Sequence, residues 1–179
     1  MNAKTASFII IVTAVLVSVF FVLRREYLSS TGDATTPTKQ EAQSEKAPNF
    51  SLQDYNGKTV NLADFIGKPI VLNSWAGWCP FCRKELPDFV TAQKEFGDKV
   101  VIVAINRQES LATAKGYTDT QGTSNDLIFL LDPDDSFYKS IGGFSMPETL
   151  FIDKNGAIII HKRGPMDINE IRQKIKEIL

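Results

Sequence analysis

Two cysteines, the only ones in the chain, lie in Trp78-Cys79-Pro80-Phe81-Cys82, at the junction of two differently patterned segments. Ahead of them, Pro69 to Trp75 is a short apolar run that reads as a buried strand. Behind them, from about Cys79 to Phe96, Leu86, Phe89, Val90 and Phe96 recur at mainly helical spacing. A strand, a short turn and a helix beginning at the first cysteine leave few folds open. A half zinc site lacks a second ligand pair anywhere in the chain. Two inert core thiols are possible, since a free cysteine packs like a small hydrophobe. A redox dithiol is favoured by position. Cys79 would sit at the helix N-cap with Pro80 at the first helical position, where the missing N–H costs nothing. Unpaired N–H groups and the positive helix end would then lower the Cys79 thiol pKa. Cys79 is read as the nucleophile and Cys82, one turn in, as the resolving thiol. Pro87 lies inside the helical pattern and should kink it.

Composition narrows the chemistry further. With 20 Lys+Arg against 21 Asp+Glu, the net charge is −1, which argues against nucleic-acid binding through a basic field. A single histidine, His161, makes multi-histidine metal sites and most Ser–His or Cys–His catalysis unsuited to this chain. It reads as a strand residue at a hairpin end. No cofactor and no metal are expected, so any chemistry rests on carboxylates or on the two thiols.

The N-terminus is a different kind of sequence. Thr5 to Leu23 carries no charge, and nineteen helical residues span roughly 28 Å, close to a bilayer's hydrocarbon thickness. A buried core helix would need a polar face for solvent. A cleaved signal peptide would need a small-residue site, and Arg24-Arg25-Glu26-Tyr27-Leu28 is a poor one. The reading is an uncleaved anchor, residues 1–28. Lys4 against Arg24 and Arg25 slightly favours a cytoplasmic C-terminal side, against the placement adopted below. Residues 29–47 contain no aromatic, Val, Ile or Leu and read as a flexible tether. The domain, residues 48–179, holds fifteen basic and seventeen acidic residues.

Within that domain, alternation around Asn56-Gly57 marks a hairpin. Lys99–Ile105 and Leu127–Leu131 read as further buried strands. Ser110 to Asp126 is part helix and part polar loop, and Phe137-Tyr138 sits in a short helix. Glu148–Ile152 and Ala157–His161 form a strand pair around Asn155-Gly156. A last helix starts at Asp167, with Glu170 completing a capping box and Met166 and Ile171 a staple; Ile168, Ile171, Ile175 and Ile178 line one face. The order implies an α/β three-layer domain with a mixed sheet.

The run Val71 to Pro87, together with Gly67-Lys68-Pro69, Leu131-Asp132-Pro133 and Pro147-Glu148-Thr149-Leu150-Phe151-Ile152-Asp153, resembles membrane-anchored thioredoxin-like proteins. These are the TlpA/ResA and CcmG (DsbE) types of the redoxin superfamily. The resemblance covers nearly all of 48–179. It implies a thioredoxin-like fold, a central mixed sheet flanked by helices, with an added N-terminal hairpin and a central insertion. It makes Pro147 a cis-proline facing the dithiol, and lets the backbone of Met146 pair with a substrate strand near Cys79. It gives Glu85 a proton-handling role; the plain alternative is an exposed partner for Arg83 or Lys84, a helix-surface residue. It places Glu148 in an acidic active-site surround, against a solvent-facing strand residue. Trp78, Pro80 and Phe81 would border the substrate groove, with Trp75 in the core. Asn73 stands where thioredoxin has an aspartate, so a base role passes to Glu85 or water.

The implied function is an anchored thiol–disulfide oxidoreductase, a reductant outside the cytoplasm. It would act on protein disulfides such as those of apocytochrome c and draw electrons from a membrane partner. A monomer on the outer side of the cytoplasmic membrane is expected, spanning it once. A general disulfide oxidase or isomerase is the same-class alternative; Phe81 replaces the histidine of DsbA-like oxidants, which weakens the oxidase assignment. A thiol peroxidase would need Thr or Ser where Ala76 stands. A non-enzymatic redox-sensing adaptor is the remaining alternative.

Overall fold

The computed structural model describes residues 17–21, 23–24 and 45–179. The chain divides into two compact units, Met1–Gln43 and Ser44–Leu179. In the first, the described residues 17–21, 23 and 24 are helical, and Val17, Val19, Phe20, Phe21 and Leu23 are exposed. The anchor and most of the tether expected from sequence lie outside the described residues. Among the described residues, no helix is long and apolar enough to cross a membrane. Residues 45–47, grouped with the tether by composition, belong to the domain: Ile158 N–H donates to Glu45 and Ala47 N–H to Gly156, at 2.8 and 3.0 Å.

The second unit is built on a seven-stranded sheet. Its strands are β1 (Ser51–Asp54), β2 (Thr59–Asn61), β3 (Ile70–Trp75), β4 (Val101–Arg107), β5 (Ile128–Asp132), β6 (Glu148–Ile152) and β7 (Ile158–Arg163). Across the sheet the order is β2-β1-β5-β4-β3-β6-β7. β3, β4 and β5 run parallel, and the outer pairings are antiparallel. This is the thioredoxin-like architecture, with the hairpin β1–β2 added to one edge. The hairpin closes where Asn56-Gly57 predicts: Asp54 Oδ1 accepts the Asn56 and Lys58 N–H groups at 2.8 and 2.9 Å.

Four α-helices accompany the sheet: α1 (Pro80–Phe96), α2 (Leu111–Thr120), α3 (Ser136–Ser140) and α4 (Ile168–Ile178). α2 settles the ambiguous stretch after β4, where Ser110 caps it by accepting the Thr113 N–H at 3.2 Å. Asp167 caps α4 through the Asn169 and Glu170 N–H groups, both at 2.9 Å. The Glu170 carboxylate, expected to close a capping box, instead pairs with Lys162 at 3.0 Å and Lys174 at 3.7 Å.

β3 is buried along its whole length, as a strand covered on both faces must be. Its side chains alternate between two cores. Ile70 and Leu72 join Val103, Ile105, Leu150, Ile152, Phe50 and Phe137 on one face. Val71 points to the other, with Phe89 and Ala92 of α1, Ile102, Phe151, and Ile171 and Ile175 of α4. Arg172 ties α4 to α1 through both oxygens of Glu95, at 2.8 and 2.5 Å. α1 runs uninterrupted through Pro87. The proline cannot donate to the Arg83 carbonyl one turn back, and the Tyr117 hydroxyl of α2 donates to that oxygen instead, at 3.4 Å.

Phe89 is fully buried between the sheet and α4. Phe89→Ala should therefore destabilise the domain by about 3–5 kcal/mol through lost burial and the residual cavity. Urea unfolding with the disulfide intact measures this, and a loss below about 1 kcal/mol would contradict the packing described.

Candidate active site

The site begins where β3 hands the chain to α1. Cys79 is the N-cap, in extended backbone at φ −87° and ψ 112°, and Pro80 follows at the first helical position. Its sulfur accepts the Cys82 N–H at 3.2 Å, satisfying one of the donors a helix start leaves free. Cys79 and Cys82 form a disulfide with Cα atoms 5.3 Å apart. In this oxidised form both cysteines are buried, 3% and 1% exposed, so exposure does not tell them apart. Position does, because only Cys79 stands at the positive end of the helix. Trp78 and Phe81 are 59% and 58% exposed and Pro80 is exposed between them, an apolar rim around a buried bond.

The two thiols lie in a small core of their own with Trp75, Ala76, Leu86, Ala104 and Phe129. Met146 packs against this cluster, and the Met146–Pro147 peptide bond is cis. The turn before β6 therefore packs against the core that holds the two cysteines. Pro147 itself is buried, and its carbonyl accepts the Gly164 N–H at 2.9 Å.

Glu85 departs from the helix-surface expectation. It is 2% exposed, because α1 turns this face toward the sheet and toward the segment leading into α4. Asn73 Nδ2 of β3 donates to Glu85 Oε1 and the Met166 N–H to Oε2, both at 2.8 Å. Asn73 also donates to Thr149 Oγ1 at 3.0 Å. Burial pushes the Glu85 carboxyl up to about 7, against the two hydrogen bonds and Lys162, which favour its charged form, and with Asp88, which does not. The carboxyl thus sits near neutrality, one helical turn after Cys82, where it can take or give a proton.

Glu148 departs from the solvent-facing alternative. It is fully buried, not solvent-facing. It accepts the Phe144 and Ser145 N–H groups at 3.1 and 3.4 Å and the Arg163 Nε–H at 2.8 Å. His161 Nε2 lies 2.8 Å from Glu148 Oε1, close enough for an ion pair when protonated but not aligned as a ring N–H hydrogen bond. Glu148 thus braces the loop that carries Met146 and Pro147, and His161 stands behind it as a strand residue.

Sequence reasoning missed two supports. Tyr138 of α3 donates its hydroxyl to the Ser145 carbonyl at 2.6 Å, and the Arg107 guanidinium stacks over its ring at 3.4 Å while pairing with Asp135. Gly143 is required here, since a Cβ would fall 2.6 Å from the Tyr138 ring. The second support is Glu109, which accepts the Gly77 N–H at 2.7 Å. No spacing rule links these residues to the cysteines; Glu109 meets Gly77 because β4 lies beside β3.

Comparisons with known proteins agree with this geometry. A family model described as Redoxin matches residues 42–178. The thioredoxin-like protein YneN of Bacillus subtilis is 35% identical over 140 residues, 76% of this chain and 79% of that protein. The thiol-disulfide oxidoreductase ResA of Bacillus thuringiensis subsp. konkukian is 31% identical over 146 residues, 79% of this chain and 82% of that one. The crystal structure of a thiol:disulfide interchange protein DsbE from Chlorobium tepidum is 25% identical. It superposes with a TM-score of 0.69, covering 75% of this chain and 96% of its own.

The raised Glu85 carboxyl has a consequence for stability. Between its ordinary value of 4.5 and about 7, the folded chain keeps a proton that the unfolded chain has lost. Its contribution to stability is therefore fully present below pH 4.5 and falls as pH rises toward 7, by on the order of 3 kcal/mol. In chemical denaturation from pH 4 to 8, the stability difference between the wild type and Glu85→Gln should change across this window. A constant difference would assign the native proton elsewhere.

Proposed function

The chain belongs to the redoxin family and is a thiol–disulfide oxidoreductase of the ResA/DsbE type, and from this premise we propose that it is a membrane-anchored disulfide reductase working outside the cytoplasm. The observation that carries the reading is the Cys79–Cys82 pair at the N-terminus of α1, in a core against which Met146 of the cis Met146–Pro147 bond packs, with Glu85 buried one turn after Cys82.

In the reduced protein the Cys79 thiolate, favoured by the helix end and the Cys82 N–H, attacks one sulfur of a substrate disulfide. A mixed disulfide forms, and the other substrate sulfur leaves as a thiolate and takes a proton. Cys82 then loses its proton to the Glu85 carboxylate and attacks the Cys79 sulfur. The second substrate thiolate is released, and the Cys79–Cys82 disulfide remains. Two electrons have passed to the substrate, and a dithiol partner must return them. Several features support the reductive direction. Phe81 places no positive charge beside the thiolate, so the reduced form is not stabilised as in strong oxidants. The exposed Trp78 and Phe81 offer an apolar landing surface for an unfolded polypeptide, the kind of substrate an apocytochrome c with oxidised cysteines would be. The apolar run over 5–23 and its exposed described residues favour an anchor, which keeps the dithiol close to membrane-bound electron donors.

The redox equilibrium of Cys79–Cys82 against glutathione or thioredoxin tests the direction. A reduction potential nearer about −270 mV than about −120 mV is expected, and a value near the latter would turn the protein into an oxidase. Cys82→Ser should accumulate a mixed disulfide with a protein substrate through Cys79, whereas Cys79→Ser should not. Placement is tested with protease on cells whose outer barrier is opened and whose inner membrane is sealed. Digestion of the domain is expected, and protection until lysis would place Cys79 in the cytoplasm.

A further inference from the structure

We propose that Glu109 is a positioning residue for the Cys79 thiolate, acting through the backbone of Gly77. Glu109 lies just past the end of β4 and immediately before Ser110, the cap of α2. One of its oxygens, Oε2, accepts two hydrogen bonds at 2.7 Å each, from the Gly77 N–H and from Asn106 Nδ2. Asn106 is fully buried and sits opposite Trp75 in the β3–β4 register. The sheet therefore fixes Asn106, Asn106 aims the carboxylate, and the carboxylate holds the turn two residues before the nucleophile.

Gly77 makes the approach possible. A Cβ at this position would stand 3.1 Å from Glu109 Oε1, closer than ordinary van der Waals contact. The other side of the turn is closed by the Cys79 N–H, which donates to the Ala76 carbonyl at 3.2 Å. Between these two bonds the Trp78–Cys79 backbone has little freedom, and the Cys79 sulfur stays within reach of the Cys82 N–H. A hydrogen bond to the charged form of a thiol lowers its pKa, and its strength depends on alignment. Holding the turn therefore sets how readily Cys79 ionises. The Glu109 charge itself acts in the opposite sense, since a nearby carboxylate raises a thiol pKa.

These two effects separate in a pair of neutral variants. Glu109→Gln removes the charge but keeps one carbonyl oxygen, and one oxygen is all that both donors now use. Glu109→Ala removes the charge and the acceptor together. The inference rests on the dithiol reading of the site, so the readout is Cys79 itself: the pH midpoint of its alkylation by iodoacetamide in the reduced full chain, followed by peptide mass. With both variants folded by circular dichroism, the Glu109→Ala midpoint should lie at least about half a pH unit above that of Glu109→Gln. Below both midpoints this is roughly a threefold lower alkylation rate. Coincident midpoints, or the reverse order, would overturn the role. Should Glu109→Ala not fold, Glu109→Asp keeps the charge on a side chain one methylene shorter. Its midpoint should exceed that of the wild type, and an equal one would overturn the role. An active wild type with coincident variant midpoints would remove only Glu109. A wild type without Cys79-dependent disulfide reduction would remove the proposed function.

Discussion

A carboxylate buried without a directly paired cation normally costs a protein stability, and Glu85 is kept in that state by donors from two separate parts of the chain. Asn73 comes from the central strand and Met166 from the segment that enters α4. Holding Glu85 therefore means holding β3, α1 and α4 in one arrangement, and Asn73 extends the link to Thr149 beside the cis-proline. The same burial lifts the carboxyl to about 7. The cost to stability and the chemical usefulness have one cause, removal of the group from water. A surface glutamate at the same helical spacing from Cys82 would titrate too low to exchange protons near neutrality.

Around this centre, the two loops that frame the dithiol are tied down by carboxylates accepting backbone N–H groups. Glu109 holds Gly77 on the turn before Cys79, and Glu148 holds Phe144 and Ser145 on the turn before Pro147. Loops at an active site carry few hydrogen bonds of their own, so buried or half-buried side chains must supply them. The supports are layered. Asn106 aims Glu109, while Arg163 and His161 surround Glu148. Tyr138, covered by Arg107, secures the Ser145 carbonyl. The apolar rim of Trp78 and Phe81 is left exposed above these supports.

Local pattern determined a good deal. The strand from Ile70, the cap at Cys79 with Pro80 behind it, the Asn56-Gly57 hairpin and the capped isoleucine-lined α4 each follow from neighbours in sequence. Helix starts, tight turns and hydrophobic periodicity are short-range effects and can be read at short range. The dithiol assignment belongs to the same class, through helix-end electrostatics, whereas the cis Met146–Pro147 bond is expected only from the family resemblance.

Tertiary structure decided what each carboxylate does. Glu85, Glu109 and Glu148 are three of 21 acidic residues in the chain, and nothing in their neighbours distinguishes a solvated charge from a buried one. Their surroundings depend on which strand lies next to which: β3 between β4 and β6 brings Asn106 beside Trp75 and Glu148 beside Ser74. Pro87 makes the same point, since the carbonyl it leaves free in α1 is met by Tyr117 from a helix that sequence reading could not delimit. The sequence by itself determined where the sulfur chemistry starts, because a helix end is a local object. Only the packed sheet decided which charges are withheld from water around it, because desolvation is produced by residues distant along the chain.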